Sequence, residues 1–163
     1  MQKLNQSYIN TVVKKALEED LRPRGDITTN LITAKDKIIK AKIIAKQDGV
    51  VAGLDFCKTA FKLIGKESVF TKKISDGKKI KKKKVIAIIK AKKKTILTAE
   101  RTALNFLNHA SGIATLTNQF VKKISKKTKI CCTRKTTPNL RTLEKYAVKK
   151  GGGHNHRLSL IHI

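Results

Sequence analysis

Lys129 to His156 reads as a strand, a helix and the start of a second strand, and no other stretch narrows the choice of fold as much. Lys129 to Thr133 predicts the first strand. Pro138 suits the first position of a helix, where its missing donor would go unsatisfied anyway, and that helix is expected to run to about Lys150, where Gly151-Gly152-Gly153 ends it. This order opens a βαβ unit, which implies an α/β fold, a parallel sheet and more chain to come. Parallel neighbours need the crossover helix between them, because a tight turn cannot join them.

Upstream, Ile9, Val12, Val13, Ala16 and Leu17 recur at helical spacing, so Ser7 to Leu21 predicts an amphipathic helix. Arg22-Pro23-Arg24-Gly25 stops it, and Asp26-Ile27-Thr28-Thr29 is a turn or cap. Ile38 to Lys46, Glu67 to Ile74 and Lys84 to Lys90 predict strands, the last buried on both faces through Val85–Ile89. Asp48 to Gly53 is a turn with a short extended piece, Leu54 to Ile64 a helix stopped by Gly65, and Asp76-Gly77 a tight turn. Thr98 reads as the cap of a helix with Glu100 in its first turn. Leu104, Leu107, Ile113, Leu116, Phe120 and Ile124 continue an apolar stripe. Ser111-Gly112 interrupts it and is expected to mark a boundary, inside one helix or between two, between domains 1–110 and 111–163. Chain length permits one domain or two small ones.

The net charge of +27 first suggests a polyanion partner. Yet only 6 of the 38 basic residues are Arg, the residue favoured for bidentate phosphate contacts. Lysine is spread along the whole chain, which fits solvated surface better than a nucleic-acid footprint. Aromatic content of 4 % with no Trp argues against a stacking surface for single strands. A small basic nucleic-acid-binding protein remains the alternative class, tested by salt-sensitive binding to DNA or RNA. The longest apolar run, Val85–Ile89, is far short of the roughly 20 residues that span a bilayer, so no membrane partner is expected. Cys57, Cys131 and Cys132 make no disulfide framework and suit a reducing cytoplasm.

Chemistry concentrates near the end. Thr133, Arg134 and Lys135 follow a predicted strand and precede a helix, and ligands of α/β folds bind at such strand ends. A helix N-terminus there adds free N–H groups and partial positive charge. Gly151-Gly152-Gly153-His154-Asn155-His156-Arg157 adds an imidazole and a second guanidinium after three glycines, a choice made where the backbone needs unusual dihedrals or close approach. Together the two stretches form a receptor for a compact, multiply charged anion. The alternatives are a solvated Arg–Lys pair and a flexible linker. His154, His156, Cys131 and Cys132 lack the spacing of paired zinc ligands. His109, on a helix face, reads as packed or solvent-facing. Neither nucleotide-phosphate fingerprint is present.

These motifs, in order, resemble the quinolinate phosphoribosyltransferases. The resemblance rests on Glu19-Asp20-Leu21 with Gly25-Asp26-Ile27-Thr28-Thr29, then Gly49-Val50-Val51-Ala52-Gly53. It continues through Glu100 to Leu107 with Ser111-Gly112-Ile113-Ala114-Thr115, Thr133 to Pro138, and Gly151 to Arg157. It implies an α+β sandwich N-terminal domain packed on the first part of an α/β barrel. The implied reaction joins quinolinate and phosphoribosyl pyrophosphate, with Mg2+, to give nicotinate mononucleotide, pyrophosphate and carbon dioxide in NAD biosynthesis. By resemblance Thr133, Arg134, Lys135, His156 and Arg157 bind substrate, with the last four on the quinolinate carboxylates, and Arg101 reaches the partner's site in a cytoplasmic homodimer. A related heteroaromatic acid is the neighbouring alternative. Asn139 stands where the family often has Gly. Past Leu160 the family continues with the residues for Mg2+ and the phosphoribosyl group, so a truncated chain without turnover is expected.

Overall fold

The computed structural model describes residues 4–33, 36–125 and 127–156. Helix α1 (Gln6–Leu21) begins as the sequence predicts: the Asn5 side chain accepts from Ser7 N, and Ile9, Val13 and Leu17 turn inward. Asp26 caps a six-residue helix, α2 (Ile27–Ile32), by accepting from Thr29 N at 2.9 Å. Strands β1 (Ile38–Ile44), β3 (Val69–Lys72) and β5 (Val85–Lys92) form an antiparallel sheet in the order β1-β5-β3, with Ile89 opposite both Ala41 and Phe70. The central strand carries the buried Ile86, Ala87, Ile89 and Ala91. Two short strands, β2 (Gly49–Val50) and β4 (Lys79–Ile80), pair separately. At two residues β4 offers no periodicity for a sequence pattern to reveal.

Helix α3 (Leu54–Ile64) lies on helix α4 (Lys93–Lys123), and the rings of Phe56 and Phe106 pack 5.2 Å apart between them. Gly53 makes this approach possible. Its φ is +94°, and a Cβ there would stand 3.0 Å from that of Ala110. The N-terminus of α3 is satisfied from a distance by Asp76, which accepts from both Gly53 N and Leu54 N.

Helix α4 corrects one expectation. It starts at Lys93, not Thr98. Thr98 is no cap: its hydroxyl donates to Asp26 Oδ2 at 2.9 Å, tying α2 to α4. The helix also runs unbroken through Ser111-Gly112, so this position lies inside one helix rather than between two. Ser111 Oγ accepts from Ala52 N at 3.0 Å and donates to Ala52 O at 3.1 Å, while Thr115 Oγ1 accepts from Val50 N at 2.9 Å. The small polar residues therefore serve the extended 50–52 backbone. Thirty-one residues of helix span about 46 Å, crossing from the sheet layer to the last helix, α5 (Arg141–Lys150).

The expected strand at 129–133 is a single parallel bridge, Cys131 to His154. His154 N donates to Ile130 O and Cys132 N to His154 O. The order extended segment, helix, parallel partner is nonetheless the predicted one. Helix α5 starts three residues later than Pro138 because Asn139 has φ +64°, outside the right-handed helical region. Thr137 to Leu140 instead makes a turn, closed by Leu140 N donating to Thr137 O. Pro second and a positive-φ Asn third suit a type II turn. Asn is one of the few residues that tolerates the place of a glycine there.

The glycine run that follows α5 is packed rather than loose. A Cβ on Gly151 would collide with the Ala114 carbonyl, and one on Gly153 would sit 2.8 Å from Val148 Cγ1 and 2.9 Å from Thr117 Cγ2. The Asn118 amide donates to Gly151 O at 3.1 Å. These glycines let the end of α5 lie directly on α4.

Candidate substrate-binding site

Cys131, Cys132, Thr133, Arg134, Lys135 and His156 line one recess of about 640 Å³. The parallel bridge at Cys131 and His154 joins the two motifs, placing His156 two residues beyond one end and Arg134 three beyond the other. Thr133, Arg134, Lys135 and His156 thus converge as the sequence predicts. Arg157 lies outside the described residues. Arg101 is exposed on α4 and does not line the recess.

The loop between Cys132 and α5 is held by its own backbone and by three neighbours. Thr133 Oγ1 accepts from Lys135 N at 3.1 Å, and Thr136 N donates to Arg134 O at 3.0 Å. Arg141 Nε donates to Thr136 Oγ1 at 3.1 Å. Tyr8 on α1 donates to Asn139 O at 3.3 Å. Glu144, in the first turn of α5, accepts from Thr137 N through Oε2 at 3.2 Å, and its Oε1 lies 3.0 Å from His109 Nε2 on α4. His109 is therefore neither simply packed nor simply solvated. Glu144 also changes the expected role of the helix terminus. A carboxylate of the chain itself answers the α5 dipole, so side chains carry the burden of anion recognition.

Arg134 shows what the recess lacks internally. Its Nε is buried and, among the described residues, has no hydrogen-bond partner. A buried donor without a partner costs about 1–3 kcal/mol, and an anionic ligand bound in the recess would supply the acceptor. Lys135 and His156 are exposed at the rim. Behind the recess, Lys145 is 1 % exposed and its Nζ donates to Cys132 Sγ at 2.8 Å. Glu144 and Lys145 are not singled out by the sequence, and His109 is read there only as packed or solvent-facing, because each acts through a tertiary partner that no local motif announces.

Among the described residues no group of three His, Cys, Asp or Glu side chains is placed to hold a metal ion. None of the helices, over the described residues, is long and apolar enough to cross a membrane. Tyr146 on α5 donates to Asp76 Oδ2 at 2.7 Å, and burial, then this carboxylate, raise its phenol above the usual range.

Comparison with known proteins gives a consistent result. Residues 26–111 match the family model "Quinolinate phosphoribosyl transferase, N-terminal domain", and residues 113–163 match its C-terminal counterpart. The probable nicotinate-nucleotide pyrophosphorylase [carboxylating] of Methanocaldococcus jannaschii is 43% identical over 157 residues, covering 94% of this chain and 53% of that protein. The enzyme of the same name from Mycobacterium leprae is 39% identical over 153 residues, covering 91% and 53%. Among solved structures, the nicotinate-nucleotide pyrophosphorylase of Francisella tularensis superposes with a TM-score of 0.92 at 40% identity, over 98% of this chain and 57% of that one. NadC from Streptococcus pyogenes gives 0.93 at 40% identity, over 97% and 57%. The chain spans about half the length of the curated relatives it matches.

Proposed function

The chain belongs to the quinolinate phosphoribosyltransferase family, and on that premise we propose that its recess binds the two carboxylates of quinolinate for phosphoribosyl transfer. The transferred group comes from phosphoribosyl pyrophosphate, and the product after decarboxylation is nicotinate mononucleotide. The observation that carries this reading is the convergence of Arg134, Lys135 and His156 on one recess, with the buried Arg134 Nε lacking any partner among the described residues. Arg157 completes the set by sequence position, two residues beyond the bridge partner's neighbour Asn155.

The chemistry asks little of a nucleophilic side chain. The pyridine nitrogen of quinolinate is itself the nucleophile, so the protein's task is to hold the ring in attacking orientation. Two adjacent carboxylates gripped by a guanidinium and an ammonium fix both the plane and the direction of the ring. Charge-assisted hydrogen bonds of this kind contribute about 1.5–3 kcal/mol each. The same cations stand where charge shifts as the carboxylate beside the nitrogen departs, and preorganised positive charge stabilises that step. In a homodimer, the exposed Arg101 is proposed to enter the partner's recess and close it from the other side.

Calorimetric titration of the chain with quinolinate tests the reading. Saturable binding is expected, with Arg134→Ala weakening it about tenfold or more, the scale of one charge-assisted contact. Nicotinate, with a single carboxylate, should bind more weakly than quinolinate. Equal affinities for the two acids, or no effect of Arg134→Ala, would count against a dicarboxylate site.

A further inference from the structure

Cys132 and Lys145 make an unusual contact for a buried lysine. Lys145 is 1 % exposed, and its Nζ reaches the Cys132 sulfur at 2.8 Å. Among the described residues no carboxylate pairs with it. Burying a charged group without an opposite charge costs several kcal/mol, so a lysine kept here against a sulfur calls for an explanation. Cys132 is a half-buried free thiol and one of the residues that line the recess. Backbone bonds on both sides hold the pair in place. Cys132 N donates to His154 O at 2.9 Å, Cys132 Sγ contacts Asn155 Oδ1 at 3.5 Å, and Lys145 lies in the middle of α5.

We propose that Cys132 and Lys145 form an oxidation-sensitive pair that peroxide converts to a sulfur–nitrogen link. Hydrogen peroxide transfers one oxygen to the Cys132 sulfur, giving a sulfenic acid and one water. The Lys145 nitrogen then attacks that sulfur. The S–N bond forms as the S–O bond breaks, and the leaving hydroxyl departs with a proton from nitrogen as a second water. In sum, thiol, amine and peroxide give sulfenamide and two waters, with sulfur oxidised by two electrons and peroxide reduced by two. A dithiol reverses the link and is itself oxidised to a disulfide. Condensation of a sulfenic acid with a nearby nitrogen is established chemistry, and here the nitrogen is already at contact distance. The competing thiol, Cys131, is poorly placed. Adjacent Cα atoms stand about 3.8 Å apart, below the usual range for a disulfide.

The link would replace the basic Lys145 amine, which gives up any ammonium proton to water before it attacks, with a non-basic S–N group behind Arg134 and Lys135, and it would stitch α5 to the segment beneath them. Weaker anion binding follows. That consequence rests on the carboxylate-binding reading above, whereas the link itself does not.

The test treats the 163-residue chain with hydrogen peroxide, digests it, and maps peptides by mass spectrometry, with quinolinate titrations before and after treatment. The expected product is a linked pair of peptides carrying Cys132 and Lys145, lighter by two hydrogens than their sum and released by dithiothreitol. It should persist in Cys131→Ser, vanish in Cys132→Ser, and fail to form when peroxide is added in guanidinium. Recovery of Cys132 as sulfinic acid or as a disulfide, with the Lys145 peptide unlinked, overturns the proposal. Equal linking in guanidinium does the same, since proximity in the fold would then be irrelevant. The linked chain should bind quinolinate several-fold more weakly, and unchanged affinity would refute the effect on binding. An untreated chain that never binds quinolinate would instead refute the carboxylate reading and leave the link standing.

Discussion

Glycines that look alike in sequence have opposite roles here. Gly112 lies exposed in the middle of α4 with open space where a Cβ would go. Gly112→Ala should therefore stabilise the chain by up to about 1 kcal/mol, the propensity difference in a helix interior, measured as a raised denaturation midpoint. Gly151 faces the Ala114 carbonyl and the Thr117 side chain, so Gly151→Ala should destabilise by about 1–3 kcal/mol, as overpacking does. Cys57 offers a separate check. It is fully buried, and burial pushes its thiol up to about 12. A thiol reagent at neutral pH should label Cys131 and Cys132 in the folded chain and reach Cys57 only after denaturation. Asp26 carries a pH dependence of known sign. Hydrogen bonds from Thr29, opposed weakly by desolvation, hold its carboxyl below the usual carboxylate range. A group depressed on folding contributes stability above its unfolded value, and that contribution is lost as pH falls through the folded value. Asp26→Asn should accordingly flatten part of the acid limb of the stability curve.

Elements with regular spacing and a clear stop were legible in sequence. The stripe of α1 and the Gly65 end of α3 emerge at or within a residue of expectation. Errors fell where one residue type serves two physical purposes. Thr98 has the chemistry of a cap but binds Asp26. Pro138 suits a helix start, yet Asn139 beyond it is left-handed and delays α5 by a turn. The site followed the same division. Thr133, Arg134, Lys135 and His156 were visible because motif and spacing put them at strand ends. The supports for their loop were not, because His109 and Glu144 are 35 residues apart. Glu144 provides the sharpest test of that support. Glu144→Ala should strip the acceptor from Thr137 N and weaken quinolinate binding, and Glu144→Gln, which keeps an amide oxygen there, should recover most of it. If Gln is as damaging as Ala in the titration, the acceptor on Thr137 is not what holds the loop.

Across the whole molecule, α4 runs through the boundary between the two expected domains and touches both. It packs on α3, supplies Ser111 and Thr115 to the 50–52 backbone, and receives α5 at Gly151. Tyr146 and Asp76 bind the last helix to the α3 N-terminus as well. A single calorimetric transition is expected, and two resolved transitions would show that the parts are separable. The lysine-rich surface has a plainer origin than its charge suggests. Lys14, Lys42, Lys58, Lys82 and Lys122 are exposed on different elements rather than gathered on one face, whereas the cations of the recess are few and fixed by a loop. The central claim is that this recess is built for a dicarboxylate, and the Arg134 Nε–H is its most direct reporter. In a nitrogen–proton correlation spectrum, one arginine side-chain signal, missing in Arg134→Lys, should shift and exchange more slowly with water as quinolinate saturates the chain. Quinolinate binding that leaves that signal unmoved would contradict the account.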